Sequence, residues 1–153
     1  MLVKNLMNLG AVNIDVNDTL FEAINKMNEL NIGRLMVMQK CKLVGIVSDR
    51  DLRRAAPSNA TALEIHEMKY LLTKVKIKEI MTPNPIAVKQ YDTEAHAAKI
   101  MYENKISGLP VVDHTNRVIG VLSRSDILRS IFHPEDQQEL SCHPISVLRY
   151  AKP

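Results

Sequence analysis

The sequence contains no tryptophan and only 4% aromatic residues, so its core must be aliphatic, with eight methionines filling irregular gaps. Its two cysteines, Cys41 and Cys142, are far apart in sequence and suggest no disulfide framework; two reduced thiols in a cytoplasmic protein are the expectation. No apolar run approaches the roughly 20 residues needed to span a bilayer. The opening "MLVKNLMNLGAV" is interrupted by Lys4 and Asn5, and its apolar stretch is too short for a secretory signal. Signatures of hydrolases, zinc sites and phosphate loops are missing too: no G-x-S-x-G, no H-E-x-x-H, no paired C-x-x-C, no G-x-x-x-x-G-K-[ST]. These absences argue against catalysis and against a metal site.

What is present is ordinary for a soluble globular chain: 153 residues, 46% hydrophobic and 24% charged. A chain of this size buries roughly 70% of the surface its unfolded form exposes. That suffices for one domain, or for two small halves sharing an interface. A formal net charge of +3 does not by itself argue for nucleic acid or an anionic membrane.

The chain repeats itself, and the repeat settles the architecture. Met7 falls on Met81, Asp18-Thr19 on Asp92-Thr93, Ala23 on Ala97, Met27 on Met101 and Ile32 on Ile106, always 74 positions later. One extra residue enters within "DHTNR", and Gly45, Ser48 and Asp51 then meet Gly120, Ser123 and Asp126 at a spacing of 75. Each repeat begins with a short extended piece, Val12 to Val16 or Ile86 to Val88. In the first, Leu20, Ala23, Ile24, Met27 and Leu30 recur at helical spacing, and Thr19 with Glu22 has the form of a capping box. Two apolar strands follow, Leu35 to Met38 and Leu43 to Val47, joined by a tight polar turn at "QKCK", and a second helix starts near Ser48. The second-half equivalents are a helix over 92–104, strands over 109–112 and 118–122, and a helix over 123–131.

The expected class is therefore α/β (α+β), with a β-α-β-β-α motif occurring twice. The halves are 1–58 and 78–132. Residues 59–77 form a linker with a turn at Pro57-Ser58-Asn59 just before it and a predicted helix over 62–72. Residues 133–153 lose periodicity, carry three prolines and read as a tail.

In this order and spacing, "IMTPNPIAV", "KISGLPVVD" and "GVLSRSDIL" in the second half, with "AINKMNELNIGRLMVM" and "KLVGIVSDRDL" in the first, resemble a tandem pair of CBS (cystathionine β-synthase) domains. The stretch "SDRDLRRAAPS" followed by a helix is also similar to stand-alone CBS pairs of the acetoin-utilisation type. The resemblance implies two motifs packed about a pseudo-two-fold axis through their sheets, and a homodimer. It also implies clefts between the motifs that bind adenosine-containing nucleotides and report them to a partner protein.

The shared Ser-x-x-Asp has two readings. A helix start leaves its first N–H groups unpaired, and a Ser followed three residues on by an acid can cap them. The same geometry also suits a nucleotide. The N–H groups and partial positive charge favour phosphate, and a carboxylate beside them accepts from both ribose hydroxyls. Gly45 and Gly120 allow close backbone packing.

By the family resemblance, the residue after the repeated Met and the "GLPV" segment line the nucleotide pocket. Thr82, Ile86, Ile106, Gly108, Leu109, Pro110, Ser123, Arg124 and Asp126 accordingly make the more complete site. Arg124 meets either phosphate or solvent. The weaker site comprises Val12, Ile32, Arg34, Ser48 and Asp51, since the first repeat lacks the Thr and has Met36 in place of the Pro; Arg34 is either a phosphate ligand or half of a surface ion pair.

Other candidates carry less. His66 and His96 lie singly on predicted helices, and Cys142, His143 and His133 are scattered in the tail. Arg50, Arg53, Arg54, Lys69, Lys74, Lys76 and Lys78 make a basic middle without interleaved aromatics for base stacking. The resulting expectation is a non-catalytic, cytoplasmic regulatory module with no required cofactor and no membrane. AMP, ADP, ATP or a related compound would be its regulatory ligand. The alternatives are a ligand-free dimerisation scaffold, or a nucleic-acid-binding protein using the basic linker region.

Overall fold

Two four-stranded mixed sheets carry the two repeats in a computed structural model of the chain, which describes residues 1–56 and 65–132. After a 3-10 turn at Val3–Asn5 come β1 (Asn8–Leu9), β2 (Asn13–Asp15), α1 (Leu20–Leu30), β3 (Arg34–Gln39), β4 (Lys42–Ser48) and α2 (Asp49–Ala55). Then follow α3 (Ile65–Lys74), α4 (Ile77–Ile80), β5 (Thr82–Pro83), β6 (Val88–Lys89), α5 (Glu94–Glu103), β7 (Gly108–Val112), β8 (Val118–Ser123) and α6 (Arg124–Phe132). The turn at Pro57-Ser58-Asn59, the first residues of the predicted linker helix and the tail lie outside the described residues.

Local chemistry explains the elements. Thr19 caps α1 in a closed capping box: its hydroxyl oxygen accepts from the Glu22 N–H at 3.3 Å, and the Glu22 carboxylate accepts from the Thr19 N–H at 2.7 Å. Leu20, Ala23 and Met27 then face the core on one stripe. In the β3–β4 hairpin Gln39 pairs with Lys42, and the intervening Lys40 and Cys41 both have positive φ, 48° and 64°. That is the backbone twist a two-residue hairpin loop needs.

One sheet has the order β2-β3-β4-β5 and the other β1-β8-β7-β6. In each, a parallel pair spanned by a helix is followed by an antiparallel hairpin with a register shift at the same place, Val37/Met38 and Val111/Val112. The edge strand on the far side comes from the other repeat. β1 pairs with β8, Asn8 opposite Val121 and Leu9 opposite Gly120, while β5 pairs with β4, Thr82 opposite Ile46 and Pro83 opposite Gly45.

The segments leading into β1 and β5 dock in the same crossed manner. Val3 N–H donates to the Asp92 carbonyl at 2.9 Å and Lys4 N–H to that of Gln90 at 2.9 Å; Ile77 N–H donates to Asp18 at 2.8 Å and Lys78 N–H to Val16 at 3.1 Å. Val3 and Ile77, 74 positions apart, are both wholly buried.

Two interleaved compact units result. Of the described residues, 1–11 join 86–132 in one, and 12–56 with 65–85 form the other. Each sequence repeat thus lends its leading segment to the other repeat's unit. The unit built on the first repeat has a core of Ile14, Val16, Leu20, Ala23, Met27, Leu35, Val37, Val47, Leu52 and Ile77, with Leu72 and Val75 packed against it. The α3 segment, expected as a linker, is therefore part of that unit. The other core comprises Val3, Val88, Ala97, Met101, Leu109, Val111, Leu122 and Ile127.

The crossed edge strands lie close over both glycines of the repeat. A Cβ on Gly120 would stand 2.6 Å from the Asn8 carbonyl oxygen and 3.1 Å from Met7 Sδ. One on Gly45 would stand 2.5 Å from Met81 Sδ and 3.0 Å from the Thr82 carbonyl oxygen.

Candidate functional site

Each hairpin ends in a Ser that opens a helix, and the Ser-x-x-Asp carboxylates sit at those two junctions. At the first, the Asp51 Oδ2 accepts from Ser48 N–H at 2.8 Å and from the Ser48 hydroxyl at 2.9 Å, while Asp51 N–H donates back to Ser48 Oγ at 3.2 Å. At the second, Asp126 Oδ2 accepts from Ser123 N–H at 2.8 Å and the Ser123 hydroxyl at 2.6 Å, and Asp126 N–H donates to Ser123 Oγ at 3.2 Å. The capping reading of Ser-x-x-Asp is thus correct at both places.

Donors that a phosphate would need are already engaged. Asp49 N–H is taken by the Gly33 carbonyl at 3.0 Å, and Arg124 N–H by that of Ser107 at 2.9 Å. With Asp51 N–H and Asp126 N–H bound to serine, two of the three first-turn amides in each helix are satisfied internally.

The two carboxylates differ. Asp126 is 2% exposed, and both its oxygens are engaged: besides Ser123, Oδ2 accepts from the Asn8 side-chain amide at 3.0 Å, and Oδ1 pairs with Arg129 at 3.3 Å. Asp51 is half-buried, and its Oδ1 has no partner among the described residues.

The crossed edge strands also regroup the expected site residues. Thr82 belongs to the unit of Asp51, on the strand beside Ile46, and not to the unit of Asp126 with which the sequence grouped it. The position it was expected to fill near Asp126 is occupied by Asn8. The physical reason is that a two-residue edge strand takes its partner from the sheet it crosses to, which no local pattern encodes. Asn8 and Arg129 were not among the expected site residues; the 74-residue offset that aligns Asn8 with Thr82 was the available signal.

Of the remaining expected residues, Ile86, Ile106, Gly108, Leu109, Pro110, Ser123 and Arg124 share the unit of Asp126, whereas Val12, Ile32, Arg34 and Ser48 share that of Asp51. Leu109 is wholly buried in its core and Pro110 is wholly buried too. Ile106 is half-buried against the same core as Leu109, and Val12 and Ile32 are half-buried against the other. Ile86 is exposed, and Arg124 is exposed without an ion pair among the described residues.

His66 and His96 are exposed on α3 and α5. Among the described residues no three His, Cys, Asp or Glu side chains gather closely enough to hold a metal; Cys142, His143 and His133 lie outside them. The seven cations of the basic middle are exposed. Arg53 pairs with Asp49 at 3.4 Å, Lys69 lies 5.1 Å from the Phe21 ring and Lys74 4.7 Å from that of Tyr70. No helix among the described residues is long and apolar enough to cross a membrane.

Comparison with known proteins agrees with this architecture. The family model for the CBS domain matches residues 3–58 and 77–133. A CBS domain-containing protein of Dictyostelium discoideum is 36% identical over 129 residues, covering 84% of this chain and 89% of that protein. Inosine-5'-monophosphate dehydrogenase of Methanocaldococcus jannaschii is 34% identical over 125 residues, but this chain spans only 22% of the enzyme's length. Among solved structures, the CBS domain pair of protein MJ0100 in complex with 5'-methylthioadenosine and S-adenosyl-L-methionine is 29% identical with a TM-score of 0.72, covering 88% of this chain and 98% of that one. CBSX2 in complex with AMP is 27% identical with a TM-score of 0.67, covering 88% of this chain and 98% of that one.

Proposed function

On the premise that the chain belongs to the CBS domain family, we propose that it is a non-catalytic regulatory module that binds an adenosine-containing nucleotide through the ribose. The observation that carries this reading is Asp51. Two Ser48 donors hold one carboxylate oxygen of this half-buried residue in place, and the other oxygen has no partner among the described residues. A fixed carboxylate with one open oxygen is suited to a vicinal diol, and hydrogen bonds to a charged acceptor are the strong ones. Thr82 supplies an exposed hydroxyl on the neighbouring strand of the same unit. The ligands of the two solved relatives, AMP and the pair 5'-methylthioadenosine and S-adenosyl-L-methionine, share the adenosine moiety.

In this reading the ligand is regulatory, not a cofactor, and it shifts the protein between states only through differential affinity for them. The protein works in the cytoplasm as a homodimer that passes the bound state to a separate protein. Leu128, Ile131 and Phe132, exposed on α6, supply apolar surface for self-association.

Calorimetry with AMP, ATP, 5'-methylthioadenosine and S-adenosyl-L-methionine tests the proposal. At one hundred times its dissociation constant a true ligand adds about 2.7 kcal/mol of stability. No heat and no thermal shift with any of the four would leave a ligand-free scaffold as the better description.

A further inference from the structure

Asn8 and Thr82 hold equivalent places: each follows the repeated Met, and each sits on a two-residue edge strand laid against the other repeat's hairpin. The two side chains behave differently there. Asn8 reaches Asp126 with its amide nitrogen at 3.0 Å, an orientation fixed by chemistry because a carboxylate only accepts. The Thr82 hydroxyl is shorter and has no partner among the described residues, so Asp51 Oδ2 accepts only the two Ser48 bonds where Asp126 Oδ2 accepts three. The following arginines reinforce the contrast. Arg129 closes the second oxygen of Asp126, whereas Arg54, its counterpart 75 positions earlier, makes no ion pair with Asp51.

We infer that Asn8 is a specificity-determining residue: an internal donor that occupies Asp126 in place of a ribose hydroxyl and makes the two Ser-x-x-Asp sites unequal. This rests on the nucleotide reading above. Asp126 Oδ2 already accepts three hydrogen bonds, so a diol gains that oxygen only when the Asn8 amide leaves. Asp51 requires no such displacement. Wild-type protein therefore takes one tight equivalent per chain, at the Asp51 site, and the second binds weakly. The choice between one ligand and two resides in two side-chain positions per unit, the edge-strand residue (Asn8 or Thr82) and the helix arginine (Arg129 or Arg54).

The test exchanges the two residues. Asn8→Thr is expected to strengthen the second site about tenfold or more, the scale of one hydrogen bond to a charged group, and to bring calorimetric stoichiometry with AMP toward two. Thr82→Asn is expected to weaken the first site by a similar factor. Two equal sites in wild type, or an Asn8→Thr protein that is folded by circular dichroism yet unchanged in stoichiometry and affinity, would overturn the inference. A ligand-independent measurement separates this failure from that of the nucleotide reading. The Asn8 side-chain amide proton facing Asp126 should be shifted downfield by NMR in wild type and should lose that shift in Asp126→Ala. The same shift in both proteins refutes the internal donor whatever the protein binds, while the expected difference with no binding of any nucleotide refutes only the nucleotide reading.

Discussion

Replacing Gly120 by alanine tests the crossed edge strands at their tightest point. The backbone there lies outside the left-handed region, so alanine is conformationally allowed, and the smaller freedom of the unfolded chain favours the variant by about 0.4–1 kcal/mol. Against that, the new methyl would stand 2.6 Å from the Asn8 carbonyl oxygen, a backbone atom that moves only if β1 lifts from β8. Overpacking of this kind costs about 1–3 kcal/mol, leaving a net loss of up to about 2.6 kcal/mol. For a chain of this length that lowers Tm by up to about 10 °C.

Gly45 provides the control. Its methyl would meet first the Met81 thioether, the end of a flexible side chain, and then the Thr82 carbonyl oxygen at 3.0 Å, so Gly45→Ala should lose no more than about 1 kcal/mol. Thermal unfolding of both variants, with amide exchange of β1, decides the matter. If Gly120→Ala is as stable as Gly45→Ala and its β1 amides stay protected, the account of the edge strands is wrong.

Leu35→Ala, at a position with no solvent exposure, should lose about 2–5 kcal/mol by denaturant titration. Asp51→Ala should weaken nucleotide binding by about 1.5–3 kcal/mol, and it should also lower stability by about 0.5–2 kcal/mol through loss of the cap. Replacing Lys40-Cys41 by Asn-Gly relieves two positive-φ side chains and should raise Tm by a few degrees, of order 1 kcal/mol; no gain would mean that the loop is already relaxed. The carboxyl of Glu22 is held below its ordinary value by the Thr19 N–H and then the Thr19 hydroxyl. A lowered folded-state value stabilises above the unfolded pKa and is lost as pH falls through the folded one, so the wild-type advantage over Glu22→Gln should be present at pH 7 and shrink below about pH 4.5.

The sequence was legible wherever local chemistry decides. The Thr19–Glu22 box, the stripe of Leu20, Ala23 and Met27, and the turn at Lys40-Cys41 each follow from a few neighbouring residues, and each is present. Repetition at 74 and 75 positions carried the two sheets. What could not be read was long-range. Asn8-Leu9 and Thr82-Pro83 are too short to show any alternation, and their pairing depends on residues 113 and 36 positions away in register. That single uncertainty misplaced Thr82 beside Asp126 and hid Asn8. Leu109 shows another limit. An apolar residue in a strand reads the same whether its side chain faces a core or solvent, and this side chain is wholly in the core.

The exchange of leading segments has a consequence for any attempt to take the protein apart. A fragment ending at Lys74 lacks the Ile77 plug and the β5 strand, so it presents a vacant slot beside an unpaired strand edge. Such edges recruit strands from other molecules, and swapping an identical element between copies is a cheap way to do it. Half-length chains that keep their own leaders should therefore trade them between molecules, two short chains clasping each other as the two repeats do within one. The smallest piece that is complete by itself is the doublet.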